Sequence, residues 1–144
     1  SGIKVLEYNA RFGDPETQVI LPLLKTDIVE IFEAIIDERL EEVDIEWEEN
    51  LCALTVVLAS GGYPGEFKRG YPIQGLDEIG KTKNLTVFHA GTKADENAYY
   101  TDGGRVLNIV SIGKDIEEAR NNIYRNVDKI EFKDMFYRKD IGEK

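Results

Sequence analysis

Cysteine is nearly absent: Cys52 stands alone, so no disulfide can close within the chain. Its place beside Ala53 and Leu54 reads as a small buried hydrophobe of a cytosolic protein. Histidine is equally scarce, and a solitary His89 has no companions with which to build a zinc site. No apolar run approaches the roughly 18 residues that a membrane span needs. No basic stretch leads into an apolar one, so no secretory signal is legible. Positive charge is in deficit, with 18 Lys and Arg against 28 Asp and Glu, a net charge of −10. From Thr26 to Asn50 there are eleven acids and a single base, Arg39. Such a surface repels nucleic acid and anionic membranes, which excludes both as partners. The nucleophile elbow Gly-x-Ser-x-Gly is missing and Ser60 has no suggestively spaced His, so hydrolase chemistry is not indicated.

What is present is a chain of 144 residues, 42% hydrophobic, enough for one domain or for a small domain plus a piece of another. At its start, Ile3, Val5 and Leu6 predict a strand. Glu7, Asn9 and Arg11 follow at alternate positions and so share one face of an extended chain. A carboxylate and an amide oxygen on one strand can share a hard cation such as Mg²⁺. An Arg one step on can grip a carboxylate or phosphate. Spacing alone leaves this open against a solvated strand end. Asp14 then reads as an N-cap with Pro15 at the first helical position, predicting a helix from Pro15 to about Leu24.

Asp27 with Glu30 predicts a second capped helix, whose stripe Ile28, Ile31, Phe32, Ile35, Ile36 and Leu40 is read as core packing. Ile45 and Trp47 alternate with acids, as in a half-exposed strand. Leu51–Ala59 reads as a buried strand. Ser60–Gly75 is a Gly- and Pro-rich structured loop. Gly61-Gly62-Tyr63-Pro64-Gly65 lacks the lysine and following helix of a P-loop, so it reads as a tight turn before a phosphate nest. Further strands are expected near Leu85–Thr92, Asn97–Thr101 and Arg105–Ile112, the last two joined by a hairpin turn at Asp102-Gly103-Gly104. Arg105 is a candidate for a substrate phosphate or for balancing charge at that turn. Asp115 with Glu118 opens a third amphipathic helix carrying Ile116, Ala119, Ile123, Tyr124, Val127 and Ile130. Phe132–Ile141 is a tail whose aromatics dock on the body. Clustered strands argue for an α+β fold.

The run Glu7-Tyr8-Asn9-Ala10-Arg11-Phe12-Gly13-Asp14-Pro15-Glu16 resembles the signature of the phosphoribosylamine–glycine ligase (glycinamide ribonucleotide synthetase) family of ATP-grasp enzymes. The resemblance continues through Ala59–Gly65, Val87–Thr92, Thr101–Leu107 and Phe136–Gly142, in family order, over nearly the whole chain. It implies the C-terminal part of a ligase that joins glycine to 5-phosphoribosylamine in purine biosynthesis, through a glycyl phosphate and at the expense of ATP. It implies that residues 1–48 end the ATP-grasp domain, with its last strand and helices. Residues 49–144 would then form a C-terminal domain with a mostly antiparallel, barrel-like or sandwich-hybrid sheet.

By the same resemblance Glu7 and Asn9 are ligands for Mg²⁺ or Mn²⁺, Arg11 contacts substrate, and no acid–base residue is assigned. Asp14 matches a family Asp that helix capping explains as well as catalysis does. The implied partners are glycine, 5-phosphoribosylamine, ATP and the missing remainder of the polypeptide, in the cytoplasm. The chain alone is expected to be inactive. An ATP-grasp ligase of the biotin carboxylase type and a non-catalytic interaction module are the alternatives.

Overall fold

The structure, a computed structural model, describes residues 2–5, 8 and 10–143. Its centre is the antiparallel pair β1 (Cys52–Ser60) and β6 (Arg105–Gly113), in register from Cys52 opposite Gly113 to Leu58 opposite Leu107. β3 (Leu85–His89) pairs with the other edge of β6, and β7 (Met135–Phe136) with the end of β1 at Ala59 and Ser60. The order is β3-β6-β1-β7. A smaller sheet holds β2 (Pro72–Ile73), β5 (Tyr99–Thr101) and β4 (Thr92–Ala94), in the order β2-β5-β4. Among the described residues these are two open antiparallel sheets. The expected α+β class holds, but no closed barrel forms.

Alternation along β1 and β6 divides the main sheet into two faces. On one lie Leu54, Val56 and Leu58 with Leu107 and Ile109, all buried. Helix α4 (Ile116–Asn126) covers them with Ala119 and Ile123, and the core is completed by Val127, Ile130 and Phe132. The Asp115 side chain caps α4 by accepting from the Glu118 N–H at 2.7 Å, while Glu118 accepts from the Lys114 N–H at 2.8 Å. Ile116, expected on the inner face, is exposed, because the first turn of α4 overhangs the end of the sheet. The expected helix also tightens to a 3₁₀ turn at Val127–Lys129. The other face carries Val57, Asn108 and Val110. Against β1 and β6 packs α1 (Thr17–Ile20), which runs into a 3₁₀ turn at Leu21–Leu23.

The front of the chain departs from expectation. Residues 2–5 form no strand, since no described strand lies alongside to accept their hydrogen bonds. Asp14 does not cap α1: Glu16 is the N-cap and makes no side-chain bond, while the Asp14 carboxylate is drawn elsewhere. Helix α2 (Ile28–Ile36) is capped as expected, Asp27 accepting from the Val29 N–H at 2.8 Å. Its apolar stripe, however, is not core. Ile31 and Ala34 are buried, whereas Phe32, Ile35 and Ile36 are 42%, 51% and 79% exposed, and Leu40 is exposed beyond them. The stripe is wider than the surface this chain offers to cover it. The Ile45–Trp47 stretch makes only one bridge, Trp47 to Leu24, and Trp47 stays exposed.

The expected strand over Leu85–Thr92 is two, broken at Ala90-Gly91 where the chain passes from one sheet to the other. Asp102-Gly103-Gly104 likewise hands the chain between sheets and does not make a hairpin. Both edges of β6 are taken by β1 and β3, so β5 pairs with β2 and β4 instead. A short helix, α3 (Leu76–Ile79), buries Ile79 beneath β3. The tail docks through buried Phe132 and through Tyr137, whose hydroxyl donates to Asp128 at 3.0 Å, but Phe136 is exposed.

Candidate functional site

Loops gather at one end of the main sheet, where β1 and β3 finish and β6 begins. The Ser60 N–H donates to the Gly104 carbonyl and its hydroxyl to the Gly103 carbonyl, both at 2.8 Å. The Gly91 N–H donates to the Arg105 carbonyl at 2.8 Å, and the Asp102 N–H to the Gly91 carbonyl at 2.7 Å. Gly91 and Gly103 touch backbone to backbone, an approach only open to residues without a Cβ. The Tyr63 ring lies on Gly104. Two N–H groups of the Gly61–Gly65 loop are held by its own carbonyls, Tyr63 to Ser60 and Gly65 to Gly62. It is a packed turn, as read from the sequence, and these two N–H groups are not available to a phosphate. Arg69 stacks on Phe67 and faces Asp102 at 3.8 Å. A hydrogen-bonded, partly buried role is the reading that the strand position of His89 suggests; its Nδ1 does lie 2.9 Å from the Thr92 hydroxyl, but the residue is exposed and rests on the Tyr99 ring.

Asp14 joins the front segment to this end of the sheet. Its carboxylate accepts from Gln18 Nε2 at 3.0 Å and from Asn108 Nδ2 at 3.4 Å, and it faces Arg105 Nη2 at 3.5 Å. Arg105 Nη1 also donates to the Asp14 carbonyl. The pair is partly screened, with side chains 37% and 33% exposed for Arg105 and Asp14. Arg105, a candidate for a substrate phosphate, is thus bound to Asp14. Asn108 and Gln18 were not singled out by sequence reasoning. Asn108 carried a signal: with Ser111 it interrupts the apolar run of β6, where an unpartnered amide is costly.

Of the residues proposed to bind metal or substrate, Glu7 and Asn9 lie outside the described residues. Arg11 is exposed, and its Nη1 donates to the neighbouring Phe12 carbonyl at 2.7 Å. Among the described residues no three His, Cys, Asp or Glu side chains gather as a metal site. A hollow of about 560 Å³ beside Lys83, Asn84 and the start of α4 lies at the opposite end of β6 and has no part in this cluster.

The fold matches part of a ligase of known structure. A phosphoribosylamine–glycine ligase from Thermotoga maritima matches 95% of this chain with a TM-score of 0.71 and 36% identity, the match covering 33% of that chain. The family profile described as Phosphoribosylglycinamide synthetase, C domain, matches residues 53–144, and the chain belongs to that family. A phosphoribosylamine–glycine ligase of Caldanaerobacter subterraneus is 52% identical over 141 residues, 98% of this chain and 33% of its own length. A trifunctional purine biosynthetic protein of Gallus gallus is 48% identical over 98% of this chain and 14% of its own length. The chain therefore spans about a third of the single-function relatives it matches. Among the described residues no helix is long and apolar enough to cross a membrane.

Proposed function

We propose that this chain is the C-terminal third of a phosphoribosylamine–glycine ligase, joining glycine to 5-phosphoribosylamine with ATP in purine biosynthesis. The observation that carries the reading is the 52% identity to a protein of that name over 98% of the chain, front segment included. Residues 1–48 complete the ATP-grasp domain and residues 49–144 form the C-terminal domain.

The site belongs to the front segment. Glu7 offers anionic oxygens and Asn9 a neutral amide oxygen, a hard donor set that suits Mg²⁺ or Mn²⁺ and leaves positions for phosphate oxygens. Bound there, the metal neutralises charge on the transferring phosphate. Arg11 orients a substrate carboxylate or phosphate, since its guanidinium is otherwise unpaired among the described residues. In the reaction the glycine carboxylate attacks the γ-phosphorus of ATP, giving glycyl phosphate and ADP. The amine of phosphoribosylamine then attacks the acyl carbon, and phosphate leaves. The acidic surface repels both anionic substrates, so the local cation and Arg11 must draw them in.

The remainder of the polypeptide is the partner of α2. An apolar face of Val29, Phe32, Ile35 and Ile36 facing water is unusual for a surface helix and supports a covered seam. The chain alone lacks the nucleotide site and is inactive, and its cytoplasmic placement follows from the pathway. The test is ADP release by the full-length protein. Release that requires both glycine and phosphoribosylamine supports the reading; release driven by bicarbonate in place of glycine would assign the protein to the biotin carboxylase type and refute it.

A further inference from the structure

We propose that Arg105 and Asn108 are positioning residues for the ligase site: by gripping Asp14 they fix where the segment bearing Arg11 stands against the sheet. This rests on the functional reading above. Three observations carry it.

The first is convergence. Donors from two elements, Gln18 on α1 and Arg105 with Asn108 on β6, meet at one carboxylate. Arg105 holds the backbone carbonyl of the same residue as well. Asp14 is thus restrained by side chain and main chain together. Arg11 lies three residues upstream, so its Cα is within about 10 Å of the Asp14 Cα, at roughly 3.3–3.6 Å per residue.

The second is rigidity. Arg105 stands where β6 is tied on both sides, through Gly91 next to β3 and through Gly103 and Gly104 to Ser60 of β1. A clamp anchored on a fixed sheet places its load more sharply than one built on a loop.

The third is what the arrangement gives up. Asn108 is wholly buried, and among the described residues neither its Oδ1 nor the buried Gln18 Oε1 has a hydrogen-bond partner. Each amide turns its NH₂ toward Asp14 and leaves its oxygen unsatisfied. A surface selected only for packing would carry apolar side chains here, at less cost. Proteins keep such half-satisfied polar clusters where function needs a fixed geometry.

The two roles separate cleanly in Asn108→Leu, which is close in size and removes both the donor and the orphaned acceptor. A structural role predicts a less stable protein. Positioning predicts an unchanged or higher melting temperature with kcat lowered about tenfold and the KM for ATP unmoved, because small misplacement at a site costs up to about a hundredfold in rate. Arg105→Met should lower kcat by roughly a hundredfold. Arg105→Lys should recover part of that, since one ammonium can serve the carboxylate or the carbonyl of Asp14 but cannot span both as a guanidinium does. An independent arm uses hydrogen exchange on the 144-residue chain. Arg105→Met should speed exchange of the Thr17–Ile20 amides at least tenfold while Ala119–Ile123 in α4 keep their protection. A full-length wild-type protein with no glycine-dependent turnover would sink the functional reading. An active wild type whose Asn108→Leu variant keeps its full kcat, or wild-type exchange at Thr17–Ile20 in Arg105→Met, would sink the clamp.

Discussion

Gly91→Ala tests the close approach on which the site end of the sheet depends. A Cβ built on Gly91 would meet the Gly103 Cα at 2.5 Å, the Arg105 carbonyl oxygen at 2.6 Å and the Gly103 nitrogen at 2.8 Å. All three are backbone atoms, so no side chain can swing away. Relief requires the 89–92 and 102–105 segments to part. Overpacking of this kind costs about 1–3 kcal/mol. Parting also strains two backbone hydrogen bonds, Gly91 to Arg105 at 2.8 Å and Asp102 to Gly91 at 2.7 Å. Each is worth about 1 kcal/mol. Together they predict a loss of roughly 3 kcal/mol, or about 10 °C in melting temperature for a chain of this length. Gly70→Ala is the comparison. Gly70 has φ of +83° but nothing within 4 Å of its added Cβ, so only the left-handed backbone is penalised. That penalty is about 1–2 kcal/mol. Thermal unfolding followed by circular dichroism should therefore place Gly91→Ala clearly below Gly70→Ala. If Gly91→Ala melts at or above Gly70→Ala, the backbone contact at Gly91 and Gly103 is not a constraint and the reasoning fails.

Two further outcomes follow from burial and exposure. Cys52 has its thiol pKa pushed up, chiefly by desolvation and then by the charges of Asp115 and Glu118. Its thiolate is therefore scarcer at neutral pH than that of a free thiol, and a thiol reagent at pH 7.5 should modify it more slowly than glutathione; an equal or faster rate would contradict this. On the exposed face of α2, Phe32→Ser with Ile36→Ser should leave the melting temperature of the chain within a few degrees. The same pair should destabilise the full-length protein, and equal tolerance in both contexts would mean that no remainder of the polypeptide covers this face.

The parts of the fold legible in the sequence were those in which each local signal agreed with the tertiary outcome. The apolar run expected to form a strand over Leu51–Ala59 does so at Cys52–Ser60, and the caps at Asp27 and Asp115 and the inner positions Ala119 and Ile123 of α4 appear as expected. What failed was decided between elements. The α2 stripe has helical period whether or not anything covers it, so periodicity could not reveal that Phe32, Ile35 and Ile36 face outward. Asp14-Pro15 reads as a helix start, but a guanidinium 91 residues away claims the same carboxylate. The Asp102–Gly104 turn looks like a hairpin because its sequence does not show that β6 already has both neighbours. At the site, the residue types that suit metal and substrate stood together near the start of the chain. The clamp at Arg105 and Asn108 was hidden by distance in sequence, with Asn108 alone betraying itself as a polar residue in a mostly apolar strand.

In the proposed function, the front segment of this chain supplies metal-binding and substrate-orienting groups to a glycine-dependent ligase. Glycine-dependent ADP release by the full-length protein, wild type beside Glu7→Gln, measures that contribution. The substitution keeps shape and hydrogen-bonding reach but removes an anionic ligand. The expected result is a rate about a hundredfold lower or more, equivalent to a few kcal/mol of transition-state stabilisation, partly restored by Mn²⁺ and with the melting temperature unchanged. A near-wild-type rate with a lowered melting temperature would contradict it, and would leave Glu7 as a structural carboxylate only.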